Sequence, residues 1–188
     1  INRDELDEVT GATLNGFGNV LGVAGTSGRF SAELEWKRTI IVPGGLAITP
    51  LFAVRGDALI IDTSDLIPCE AFRAIGTAGL DVRWPVLFST TSATHVLEPV
   101  VQIFARNNER YAGELPNEDA QSFVFDASNL LERDKFSGWD RIEGGTRANF
   151  ALRYSGTYSN GWSANALFGQ SYHLAGQNPF ASPDLVAV

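Results

Sequence analysis

"GTRANFALRYSGTYSNGWSANALFGQSYH", residues 145–173, carries the clearest structural signal in the chain. Thr146, Ala148, Phe150, Leu152 and Tyr154 fall on one side of an alternating run. Gly145, Arg147, Asn149, Arg153 and Ser155, with Glu143 just ahead of them, fall on the other. Alternation of this kind is the period of a strand with one apolar face. Asn160-Gly161 then supplies a two-residue hairpin turn, because both positions tolerate positive φ. The return strand repeats the split, with Trp162, Ala164, Ala166 and Phe168 against Ser163, Asn165 and Gly169; Leu167 interrupts the polar side.

The same period runs through the rest of the chain. In residues 30–40, Phe30, Ala32, Leu34, Trp36 and Ile40 share a face, broken by Arg38, opposite Ser31, Glu33, Glu35, Lys37 and Thr39. In residues 78–88, Ala78, Leu80, Val82, Trp84, Val86 and Phe88 oppose Gly79, Asp81 and Arg83. Pro85 cannot donate to a ladder, which predicts a bulge or a free edge there. About eight strands are predicted, near 13–24, 29–42, 46–59, 71–88, 92–107, 143–158, 161–174 and 184–188. The fold class is all-β and antiparallel. Strands of ten or more residues exceed the soluble norm of about 5 to 6. One apolar, aromatic face and one mixed, charged face match the wall of an outer-membrane barrel. A soluble β-sandwich or lipocalin-like barrel alternates as well, so periodicity leaves a soluble carbohydrate-binding module or carbohydrate-active enzyme open.

Composition agrees with β structure and narrows the partners. Of 188 residues, 44% are apolar and 19% charged, with 19 Gly, 12 Phe, 4 Trp and no Met;. The length suits one domain or one piece of a larger one. The net charge is −8, and no run of Lys or Arg rises above it, which argues against nucleic acid;. The chain starts on Ile and carries no signal-peptide pattern in its first 20 residues, so a processed product or excised fragment is expected;. No run of about 18 apolar residues occurs, a test blind to membrane β-strands. The single cysteine, Cys69, has no partner for an intrachain disulfide and reads as a strand-edge residue;.

Between two alternating strands lies "LPNEDAQSFVFDASNLLERDKFSGWDRIEGG", residues 115–145. Its carboxylates, among them Glu118, Asp119, Asp126, Glu132, Asp134, Asp140 and Glu143, could serve a glycosidase pair or a calcium site. The calcium-loop pattern fails after Asp126, where positions 130 and 131 are leucines;. A glycosidase needs a carboxyl separation that sequence does not provide. "GFGNVLG", 16–22, has the wrong spacing and no βαβ context for a dinucleotide loop;. Ser171 and His173 share a strand face without a nucleophile elbow;. His95, His173 and Cys69 stand too far apart in sequence to suggest zinc;. No catalytic residue, cofactor or metal ligand is assigned. Phe123, Val124, Phe125, Leu130, Leu131, Phe136 and Trp139 would not stay together in water, so the segment is expected to pack on something;.

These residues carry a family resemblance. Leu97-Glu98-Pro99 in a strand, an apolar run, an Asn- and acid-bearing loop and then Phe136-Ser137-Gly138-Trp139-Asp140-Arg141 before Glu143-Gly144 resemble the mid-barrel region of LptD, the lipopolysaccharide-assembly or organic solvent tolerance protein. "LPNEDAQSFVFDASNLL" and "NGWSANALFGQSY" look most like alphaproteobacterial members. The resemblance is strong over 93–180 and fainter before it.

The resemblance implies a chain of the Gram-negative outer membrane that receives lipopolysaccharide from a periplasmic bridge and inserts it in the outer leaflet. Family members join an N-terminal jelly roll, which meets the LptA-like bridge, to a barrel of about 26 strands plugged by the lipoprotein LptE. Residues 1–188 would be a partial barrel domain in contact with outer-membrane lipid, with a long inserted loop at about 107–142. The family's cysteine pattern is not reproduced by lone Cys69. On this reading Asn117, Glu118, Asp119 and Asp126 belong to a loop folded over or into the lumen. Its carboxylates are expected to meet Arg106, Arg147 and Arg153, and Asp140 and Arg141 to anchor its return to the strand at Glu143. Glu98 marks the strand that leads into it.

Overall fold

Six long alternating stretches become one antiparallel sheet in the computed structural model, which describes residues 2–3, 12–14, 20–23, 25–62, 70–111, 115, 119, 122–123, 128–136, 138–178 and 186–187. The strands in chain order are β1 (Asn2–Arg3), β2 (Ala12–Leu14), β3 (Val20–Val23), β4 (Gly25–Lys37), β5 (Ile40–Ile41), β6 (Ala47–Asp62) and β7 (Glu70–Arg83). They continue as β8 (Val86–Ser89), β9 (Ala93–Arg106), β10 (Ser122–Phe123), β11 (Thr146–Tyr158), β12 (Ser163–Ala175) and β13 (Val186–Ala187). The nine-stranded main sheet runs β1-β4-β6-β7-β9-β11-β12, with β5 beside β6 and β8 beside β9.

Where the boundaries differ from the sequence reading, local chemistry explains it. The stretch 71–88 breaks at Trp84-Pro85, and β8 resumes the pairing on β9. Strand β11 begins at Thr146 rather than 143, with a register shift between Thr146 and Arg147. Gly145 precedes that shift at φ 77°, and a Cβ there would come within 2.6 Å of the Gln177 carbonyl, so only glycine fits;. Gly161 takes φ 86° in the expected hairpin turn;. Within 13–24 the described residues form parts of β2 and β3, and within 184–188 they form β13, paired in parallel with β10.

Register sorts the side chains cleanly. Leu34 and Trp36 stand beside Val54 and Phe52, and Phe30 beside Ala58; Phe72 and Leu80 follow on β7, Val101 and Ile103 on β9, Phe150 and Leu152 on β11, and Phe168 and Tyr172 on β12. All of these are exposed. Between Phe30 and Trp36, Pro50 and Ile60, Phe72 and Val82, Leu97 and Ala105, Ala148 and Tyr154, and Ala164 and Leu174, no outward position carries a charge. The opposite face holds Arg55, Asp57, Arg73, Thr77, Gln102, Phe104, Arg147 and Asn149, all buried.

The polarity is therefore inverted relative to a water-soluble sheet. A sandwich buries its apolar faces against each other, whereas here, among the described residues, the cover lies on the charged face. In water each large apolar side chain left bare forgoes about 1.5–3 kcal/mol. A patch this continuous also exceeds what soluble monomers expose.

Candidate functional site

The charged face of β6, β7, β9 and β11 is covered by residues 128–144 of the connection between β9 and β11. The described residues of that segment have turns but no ladder, so their carbonyls need donors from elsewhere;. Strand arginines supply them. Arg73 donates to the carbonyls of Asp140 (2.7 Å) and Trp139 (2.9 Å), and Arg55 also reaches Trp139. Arg106 donates to the Glu143 carbonyl (2.7 Å) and to that of Arg133. Arg147 donates to the carbonyls of Glu132 (2.9 Å) and Arg133 (2.8 Å), and Gln102 to that of Leu131 (3.1 Å). A guanidinium has five donors in a planar fork, which suits one side chain to two or three carbonyls of an irregular chain.

Two ionic groupings hold these arginines in place. Asp57 accepts from Arg55 (3.1 Å) on its own strand and from Arg73 (2.8 Å), its register partner on β7. Arg73 also reaches Glu109 at 2.5 Å. Nearby, Glu143 pairs with Arg147 and, at 3.6 Å, with Arg106. Lys135 donates to the Leu130 carbonyl (3.3 Å) and Asn149 (3.5 Å), and Asn149 donates to Gln102 (2.9 Å). Aromatic contacts fill the remainder, with Arg55 over the Trp139 ring, Arg141 over Phe136 and Arg147 over Phe104;.

At the edge of the cover two aspartates clasp each other's backbone. The Asp119 carboxylate accepts from the N–H groups of Trp139 (2.8 Å) and Asp140 (2.9 Å), and the Asp140 carboxylate accepts from the N–H of Asp119 (3.0 Å). Both carboxylates bind Arg29 of β4. Gly138 lies under this clasp, where a Cβ would stand 2.2 Å from an Asp119 oxygen.

Burial tunes the covering segment. It pushes the Glu109 carboxyl above the usual range against the pull of Arg73 and Arg141, and it raises Asp134 against Arg106. It lowers Arg141 despite Glu109. Lys135 is drawn down to about 7, first by burial and then by the cations Arg147 and Arg106;.

The structure distributes the sequence candidates unevenly. Arg106, Arg147 and Glu143 meet, as do Asp119 and Asp140, whose cation is Arg29. Arg141 is buried beside Phe136. Arg153 lies apart from the covering segment and pairs with Glu98 at 3.3 Å, near the other end of the strands. Asn117, Glu118, Asp126 and Cys69 lie outside the described residues. His173 bonds the Gly176 carbonyl rather than Ser171.

Sequence reasoning missed Arg55, Asp57, Arg73, Gln102 and Asn149. Arg55 and Asp57 stood two apart within "FAVRGDALI", opposite Phe52, Val54, Ala58 and Ile60, which is a usable signal for a charged strand face;. The pairing of Asp57 with Arg73 needed the register.

A continuous sheet with a bare apolar exterior and a charged, covered interior defines the wall of a β-barrel of the outer-membrane type. The family model described as LptD, LPS transport system D, matches residues 3–186. The chain therefore belongs to the LptD family, an outer-membrane lipopolysaccharide transport family whose members act as transport components and not as enzymes. No curated protein matches the chain.

Proposed function

We propose that this chain forms part of the wall of an outer-membrane translocon that inserts lipopolysaccharide into the outer leaflet. The observation that carries the reading is the inverted sheet, with its lipid-compatible face bare and its charged face covered by residues 128–144. The apolar face meets membrane lipid; the charged face lines a lumen through which a polar glycan passes. Residues 107–142 are a loop folded over that lumen, and the Arg29–Asp119–Asp140 clasp fixes its edge. An LptE-like lipoprotein plug and an LptA-like periplasmic bridge are the partners this role requires. The wall performs no covalent step; what it contributes is two surfaces of opposite polarity, 13 to 16 residues long in its main strands.

The test is depletion of the protein in its host, followed by a cell-impermeant surface label for newly made lipopolysaccharide. The expected result is less label at the surface while lipopolysaccharide accumulates inside. Unchanged labelling sinks the proposal.

A further inference from the structure

The outward face changes chemistry at one end of the sheet. The connections at that end, residues 38–46 with β5, 84–92 with β8 and 159–162, contain none of the chain's 22 Asp and Glu residues, and Arg38 is their one charged residue. The long connection of residues 107–145 emerges at the opposite end. Outer-membrane barrels keep their short turns on the periplasmic side and their long loops outside. On the barrel-wall reading, on which this inference rests, the acid-free end lies at the periplasm-facing leaflet.

On the lipid side of that end Phe88, His95, Tyr154 and Tyr158 form one cluster. Phe88 stacks on His95 at 5.0 Å between centroids, Tyr154 stacks on its neighbouring side at 5.9 Å, and Tyr158 meets the ring edge-on at 5.8 Å. The Tyr154 hydroxyl lies 2.8 Å from His95 Nδ1 and 3.2 Å from the Tyr158 hydroxyl. Gly156 makes this possible: a Cβ there would stand 2.5 Å from the Tyr154 hydroxyl oxygen and 3.4 Å from Nδ1. The Trp162 carbonyl accepts the Tyr158 N–H at 2.9 Å, and the Trp162 residue is 73% exposed.

We propose that His95, Tyr154 and Tyr158 seat the phosphate-bearing headgroup of a glycerophospholipid of the periplasm-facing leaflet. With Tyr158 donating to Tyr154 and Tyr154 donating to Nδ1, the imidazole proton sits on Nε2, and that N–H is the donor for a phosphate oxygen. No carboxylate in the three connections repels the phosphate. Phe88 and Trp162 flank the seat with rings suited to the boundary between acyl chain and headgroup.

Native mass spectrometry of the intact protein in detergent tests this, with phosphatidylglycerol or diacylglycerol of identical chains added. The wild type should retain phosphatidylglycerol with roughly tenfold preference, the worth of one hydrogen bond to a charged group. His95→Ala and the pair Tyr154→Phe with Tyr158→Phe should each lose that preference, and His95→Gln, which keeps a side-chain donor, should recover part of it. Equal retention of both lipids by the wild type, or unchanged preference in the variants, overturns the seat while leaving the barrel wall intact. A wild type that holds neither lipid overturns the barrel-wall reading along with it. Lipopolysaccharide transport does not enter this readout, so the surface-labelling experiment can fail without touching it.

Discussion

The two faces of the sheet use the same backbone and the same strands, yet they follow opposite rules. Outward, Phe52, Val54, Ile60 and Phe72 stand bare, and along the middle of the strands no charge shares their side. Inward, one residue away along each chain, Arg55, Asp57 and Arg73 are buried to 8%, 0% and 1% exposure. Burial here follows pairing rather than hydrophobicity. An apolar side chain can face lipid at no cost in hydrogen bonds, whereas a charge can leave water only where its donors and acceptors are matched.

The inner face should prove the more fragile of the two. Asp57→Asn keeps the volume close but leaves Arg55 and Arg73 without their carboxylate, an expected loss of about 3–5 kcal/mol. Denaturant titration of the refolded barrel, followed by its heat-sensitive electrophoretic mobility, measures it; a loss under about 1 kcal/mol contradicts the pairing account.

Violating the outer face should cost somewhat less. Val54→Arg places a charge on the lipid side near mid-strand and is expected to destabilise by about 2–4 kcal/mol in bilayers. The same substitution should be close to neutral if that face meets water. Glu98→Gln, which loosens the exposed pair with Arg153, should cost no more than about 1 kcal/mol, because that arginine side chain is 46% exposed;. Folding titrations of the two variants side by side give the contrast directly.

The inner face should also respond to pH. Lys135 titrates near 7 when the segment is docked, against an ordinary 10.5. Between those values the undocked state holds more protons, so docking strengthens as pH rises from about 7 to 10.5. Below 7 the amine is charged in both states and the slope from this group vanishes. Hydrogen exchange of residues 128–144 should slow across pH 7 to 10 relative to its intrinsic rate, and Lys135→Met should flatten that trend. A trend that persists in the variant assigns it to another group.

Much of this was legible in the sequence. Period-two alternation in 30–37 and 146–158 fixed both the strands and the two faces, because a strand has no other way to separate Phe150 and Leu152 from Arg147 and Asn149;. Asn160-Gly161 fixed the hairpin between β11 and β12, since its geometry is local;. The apolar residues of the covering segment announced that it packs, though not where.

Partner choice was settled only in three dimensions. Arg153 had the same credentials as Arg147, six residues apart on one strand face, yet it pairs with Glu98 because it lies beyond the reach of residues 128–144. Asp140 finds Arg29, on a strand 111 residues earlier in the chain. Asp57 finds Arg73 because β6 and β7 pair in one register and no other; a slip by one residue would turn the arginine toward the lipid face;. Alternation is a property of the chain and survives without a fold. A salt bridge is a distance between two stretches of backbone far apart in sequence, and only the register of the folded sheet sets it.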